Sequence, residues 1–444
     1  MNPALARLRG LIVLHALWAF VAPRLIVVFL PDTSDLWKLL LIWGPPSVIY
    51  FCLINEFRRR PQILLSTLDI IVVVLVGAAL RYTSGALAPV LENDFHRYFL
   101  DAELLVRGYN PYLLSPASAL KLGSPIASLA KAVDWPQLPT LYPPVAEGFF
   151  VLTRSLGLSD RNLGLQLSFG VLEIGIVAMG CCMLRSKRSR GFWIFAIALN
   201  PLLVKEIYNS LHYDLLPVLF VLAALLVDRD KLWHRFSAGL LLALAVASKI
   251  YPLLLVPLFV MRWKHFRLSY LGGIFLGLGA VYGIAWFFLG SFPWGSTSVF
   301  ATEWLWNAPL QMILRLVVSP FIAKIISAGL VTWGLFALYR RPWELVDSAF
   351  ARVAAQMLFI FLICSSVFQP WYFLWLLPLA ALSCSLDLLA LSPLLFLSYA
   401  GFFDGTQWSR SNVIALGIEV ICGALILKWF SLRGEACAVR RRLH

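Results

Sequence analysis

Charge is what this chain has least of. Only 14% of its 444 residues are Asp, Glu, Lys or Arg, against roughly 25% in a soluble domain of ordinary composition. With 60% hydrophobic residues, that shortage excludes a soluble globular enzyme and a disordered, solvated chain. Acid is the scarcer sign, 23 residues against 37 basic ones, for a formal net charge of +14. The basic excess is not a nucleic-acid footprint, because no basic stripe interleaved with aromatics and no known binding motif is present. Cysteine is sparse too. Cys52, Cys181, Cys182, Cys364, Cys384 and Cys422 lie in apolar runs and Cys437 near the C-terminal end, so no disulfide framework is indicated. A P-loop, a Rossmann glycine pattern, a serine-hydrolase elbow and an H-E-x-x-H are all missing.

Apolar runs fill the space that charge leaves. They recur from residue 11 to residue 430. A helix crosses a bilayer with about 20 such residues, and the runs predict an all-α, polytopic membrane helical bundle of roughly 12–14 membrane segments. Those around 192–261 and 371–402 are too short to cross alone and read as broken, tilted or partial helices. The first run, 11–30, is too long for a signal-peptide core and no small-residue cleavage site follows it, so it reads as a retained anchor. One membrane domain over 1–430 is expected, followed by a basic cytoplasmic tail at 431–444.

The basic residues sit in short clusters between the runs: EFRRR, RSKRSR, DRDKLWHR, MRWKHFR, YRRP and VRRRLH. Such clusters mark the cytoplasmic side. Threading the chain on that basis puts 81–142 outside as a long first loop with interfacial helices, and makes 143–156 a re-entrant or interfacial element. The same threading puts NSLHYD (209–214), SKIYP (248–252), the loop 290–308, QPWY (369–372) and FDGTQW (403–408) outside. Nearly every unexpected polar residue then shares one membrane face. Ionisable groups at a membrane are costly and mark function by default, so one chamber at the outer interface is expected. No inverted internal repeat is visible, which counts against an alternating-access transporter.

Four segments in order carry a family resemblance. DFHRYFLDAELLVRGYNPY, LYPPVAEGFF, KIYPLLLVPLF and QPWYFLWLLPL resemble the aspartate loop, the Y-P-P element, the K-x-Y-P segment and the H-P-W-Y element of GT-C glycosyltransferases. The nearest group is the bacterial polyprenyl-phosphate-mannose-dependent α-mannosyltransferases, the phosphatidylinositol mannoside enzymes among them. Two departures stand out: Gln369 replaces the histidine before Pro-Trp-Tyr, and two apparent spans precede the aspartate loop where one is usual. The resemblance implies a GT-C fold in a bacterial cytoplasmic membrane with its active site on the extracytoplasmic face. It implies inverting transfer of a hexose, mannose above all, from a polyprenyl-phosphate donor to a lipid-linked or glycan acceptor. A pentose such as arabinofuranose, or a lipid-linked-sugar flippase with no base at all, are the alternatives. Membrane lipids are the only other partners expected; no cofactor or metal is, with a divalent cation left open.

Such a reaction needs a base for the acceptor hydroxyl and charge to meet the departing phosphate. Asp94 matches the family's catalytic aspartate; its competing role is to cap the helix expected from about residue 95 to 107. Arg97 and Asp101 are four apart and share a helix face, with His96 and Glu103 on the neighbouring one. Glu103 and Arg107 read as a solvated face. His212 and Asp214 are expected to orient substrate or to form a fixed pair. Lys249 either snorkels to the headgroups or neutralises the donor phosphate. Tyr251 and Gln369 join the expected substrate contacts through their matched segments, and Tyr142, Trp371 and Tyr372 are placed to stack against sugar or isoprenoid. Asp228-Arg229-Asp230 imitates the metal-diphosphate D-x-D of nucleotide-sugar enzymes, but its basic surroundings put it on the cytoplasmic side.

Overall fold

The computed structural model describes residues 3–29, 35–157, 161–263, 265–340, 347–402, 417–426 and 428. The described residues are 77% helical, and among them an isolated bridge between Trp306 and Val367 is all that resembles a sheet. This is the outcome that lipid enforces, since an α-helix satisfies its own backbone groups where water is absent. The all-α, polytopic membrane bundle expected from the apolar runs is therefore what forms.

Among the described residues, six helices are long and apolar enough to cross a membrane: Trp37–Arg59, Thr67–Gly85, Arg161–Met183, Arg267–Leu289, Pro320–Tyr339 and Asp347–Cys364. The bent pair Lys187–Ala198 and Pro201–Asn209, which turns by 43°, is either a broken span or a re-entrant loop. The apolar runs between 211 and 262, and that near 390, form shorter helices such as Leu215–Val227, Leu232–Ser248 and Leu386–Tyr399. FDGTQW and the tail 431–444 lie outside the described residues.

Two compact units organise the chain, one from Met1–Leu91, Leu184–Asn209 and Leu305–His444, the other from Glu92–Met183 and Ser210–Trp304. In the first, Arg9 reaches Asp69 at 2.7 Å, and Asp69 closes a reciprocal cap with Ser66 at the start of Thr67–Gly85. Arg81 donates to the carbonyls of Gly77 and Ala198, each at 2.7 Å. The chain widens into a π-helical stretch at Val204–Asn209. Lys205 and Glu206 there pair at 3.5 Å, and the Tyr399 hydroxyl donates to Glu206 at 2.8 Å.

The second unit holds the long first loop and its helices. Phe95–Val106 packs on Pro144–Ser155. At 12 residues the latter is far too short to cross a bilayer, in keeping with the interfacial element expected at 143–156. Leu232–Ser248 lies tightly on Arg267–Leu289. A side chain on Gly239 would overlap the carbonyl of Tyr270, and one on Gly273 the carbonyl of Phe236. Small residues let membrane helices approach backbone to backbone, and this contact fixes the helix that ends at Lys249.

Asp228 of the D-x-D is buried and held by Arg235 at 2.9 Å, Arg262 at 3.4 Å and the Trp263 indole at 3.1 Å, so it ties the end of Leu215–Val227 to Leu232–Ser248 and to the end of Val256–Arg262.

The glycine crossing gives a direct test. Gly273→Val is expected to lower the melting temperature of the purified protein in detergent, at a cost of about 1–3 kcal/mol or more from overpacking. Gly272→Ala, where nothing lies within 4 Å of an added Cβ, is expected to leave it unchanged.

Candidate active site

The aspartate loop folds so that Asp94 stands at the N-cap position of Phe95–Val106, yet its side chain makes no capping bond. The helix therefore does not use the carboxylate. Asp94 is half-buried: part of its surface reaches solvent while protein packs closely round the rest. Burial pushes its carboxyl up to about 6, the charges of Asp134 and Asp214 push the same way, and Lys249 and Arg97 pull it down. A carboxyl in that range is a base at neutral pH that can also hold a proton.

Lys249 is delivered by the last turn of Leu232–Ser248. Its ammonium meets Asp214 at 2.7 Å and lies 4.8 Å from the centre of the Tyr213 ring. Asp214 is itself fully buried. The backbone that brings it in turns at Leu211, whose φ of 62° is costly for a branched side chain. His212 is buried beside it. Of the expected pair His212 and Asp214, then, the aspartate fixes a lysine.

Arg97 sends its guanidinium to the carbonyl of Leu138 at 2.9 Å, which ties the aspartate helix to the strip 138–142. Tyr142 is half-buried within a ring of aromatic contacts to Tyr98, Phe150 and Tyr213, at 5.3, 5.5 and 5.4 Å. Burial raises the phenols of Tyr98 and Tyr142 well above their ordinary value, so both stay neutral. Burial also lowers the His96 imidazole, against the opposing charge of Asp134. Tyr251 is buried behind Lys249's turn.

One expectation on the helix surface changes. Glu103, read as solvated, is 1% exposed, because Arg107 at 2.7 Å, Arg154 at 2.9 Å and Arg161 at 3.9 Å surround it. Asp101 is also 1% exposed, and it faces Glu147 of the helix Pro144–Ser155.

One unit thus brings together Asp94, His96, Arg97, Asp101, Tyr142, His212, Asp214, Lys249 and Tyr251. Gln369, Trp371 and Tyr372 belong to the other, where Gln369 precedes the short helix Pro370–Trp375 and, like Trp371, is buried. Sequence reasoning missed Asp134, whose charge acts on both Asp94 and His96. Its neighbour Trp135 is exposed and in the left-handed region at φ 54°, which no sequence pattern announces. Among the described residues no group of three or more His, Cys, Asp or Glu gathers as for a metal.

Comparison with known proteins bears on this same unit. Residues 85–267 match the model of the MptA_B family, described as alpha-(1->6)-mannopyranosyltransferase, N-terminal domain. No curated protein and no solved structure matches the chain. The matched stretch contains Asp94, Arg97, Tyr142, Asp214 and Lys249, and three of the four segments that resemble GT-C enzymes. The match covers less than half of the chain, and it supports a membrane glycosyltransferase, a mannosyltransferase of the GT-C type.

Proposed function

We propose that the enzyme moves mannose from a polyprenyl-phosphate donor to a hydroxyl of a lipid-linked or glycan acceptor, at the extracytoplasmic face of a bacterial cytoplasmic membrane. The observation that carries this reading is the state of Asp94: at a helix start but not capping it, open to solvent on one side, and raised to about 6 by burial. A purely structural aspartate at that position would be spent on the helix amides.

In the proposed reaction the acceptor oxygen bonds to the sugar's C1 as its proton passes to Asp94. The bond from C1 to the phosphate oxygen breaks, and its electron pair leaves with the polyprenyl phosphate. Single displacement of this kind inverts the anomeric centre. Lys249 and Arg97 meet the charge that collects on the phosphate, where a prepositioned cation contributes most. Asp214 fixes where the ammonium sits, and so where that phosphate is met. Tyr142, half-buried and neutral, offers an aromatic face to the sugar, and His96 lines the approach on the other side of the base. Gln369, Trp371 and Tyr372 are proposed contacts to donor or isoprenoid, on the strength of the family's H-P-W-Y element. Orientation rests on the basic clusters, which the positive-inside rule assigns to the cytoplasm.

Asp94→Asn is expected to reduce transfer by about 10²–10⁴-fold, the usual share of a general base, with the protein still monodisperse and folded. Product formation by purified enzyme from synthetic polyprenyl-phosphate mannose and a membrane-lipid acceptor, read by mass, measures this. Turnover like the wild type's would remove the assignment.

The pH profile supplies a second test. A base must be ionised to act, so kcat/KM should fall about tenfold per pH unit below its apparent pKa, which lies at about 6. Asp134 raises Asp94 and Lys249 lowers it. Asp134→Asn should therefore move the acid limb to lower pH, and Lys249→Met should move it to higher pH with a lower plateau. Acid limbs that stay in place in both variants would contradict the placement of these charges around the base.

A further inference from the structure

The proposed reaction leaves one buried cluster unused. Asp101 and Glu147, on the packed helices Phe95–Val106 and Pro144–Ser155, are 1% and 3% exposed, and their carboxyls meet. The Thr140 hydroxyl, buried with them, donates to Glu147 at 2.9 Å. No backbone amide or guanidinium hydrogen bonds to either oxygen of Asp101. Two facing carboxylates in so dry a place cannot both be ionised. One turn before Asp101 on the same helix is Arg97, whose positive charge acts on Asp101, on Glu147 and on Asp94 alike.

We propose that Asp101 and Glu147 share one proton as a carboxyl–carboxylate pair, and that their single negative charge is a positioning device that holds Arg97 toward Asp94. Glu147 carries the proton and donates it in a hydrogen bond to Asp101. A pair with no net charge would release the guanidinium, and a pair with two charges would drive the helices apart. Arg97 in turn holds the strip 138–142 through Leu138, so the pair sets the spacing between the base and Tyr142. The groups facing it are Arg97 on its own helix, Thr140 in the loop, and the Tyr112 phenol, which feels both acids.

Burial raises both carboxyls, Glu147 well above its ordinary 4.5. An acid whose pKa is raised by folding gives stability that is complete below its unfolded value and is lost as pH rises through the folded one. The wild type should therefore lose thermal stability as pH rises above the ordinary carboxylate range, and Glu147→Gln should lose less.

The kinetic role rests on Asp94 as the base, whereas the shared proton does not, and two measurements separate them. An infrared difference spectrum of wild type against Glu147→Gln at neutral pH should contain the C=O stretch of one protonated carboxyl; its absence overturns the pair whatever Asp94 does. Kinetics then read the positioning. Asp101→Asn and Glu147→Gln each keep one negative charge and one donor, and should each cost no more than about fivefold in kcat. Glu147→Ala should cost more than Glu147→Gln. The double amide Asp101→Asn/Glu147→Gln keeps no charge for Arg97 and should lose about 10²-fold, the cost of a misplaced catalytic group, well beyond the product of the singles. A double variant that loses only that product, or a glutamine as damaging as the alanine, would sink the positioning role. If the double variant does not fold, the infrared band and the Gln-against-Ala comparison still decide.

Discussion

A carboxylate becomes a base at neutral pH only when water is partly kept from it and no donor claims it outright. Asp94 meets that constraint. Denied water, it rises to about 6; unclaimed by the helix amides behind it, it remains available. A full ion pair would have pulled it below the useful range, and complete burial would have shut out an acceptor. Lys249 and Arg97 act from near enough to moderate the carboxyl, while each is committed elsewhere, to Asp214 and to the Leu138 carbonyl.

The scaffold serves those commitments. Gly239 and Gly273 let two helices touch along their backbones, which settles where the helix ending at Lys249 stops. Buried Asp214 then takes its position from the strained turn at Leu211. On the aspartate helix, the arginines around Glu103 anchor one end and the facing acids Asp101 and Glu147 the middle. Ion pairs of this kind are weak contributors to net stability, because desolvation offsets much of their attraction. Their value here is geometric, since breaking one leaves an uncompensated charge that must move.

Much of this was legible in the residues. The apolar runs give the helices, the short run at 143–156 gives a helix that does not cross, and the acid before FHRYFLD gives both the helix start and the candidate base. What was not legible depends on tertiary packing. Nothing in VAEGFF separates Glu147 from a solvated glutamate until its helix is laid on Asp101. Glu103 reads as surface until three arginines from separate segments converge on it. Asp134 has no pattern at all, because a loop residue acts on Asp94 only through space. Asp228, by contrast, carries a misleading pattern, and its arginine partners lie 7 and 34 residues away.

The central claim is that Asp94 and Lys249 work on one substrate from one side of the membrane. Single cysteines at positions 94 and 249, labelled by an impermeant thiol reagent in sealed vesicles of known orientation, test it most directly. Both should react from the extracytoplasmic side and be protected together by polyprenyl-phosphate mannose. Labelling of the two from opposite compartments would contradict the account.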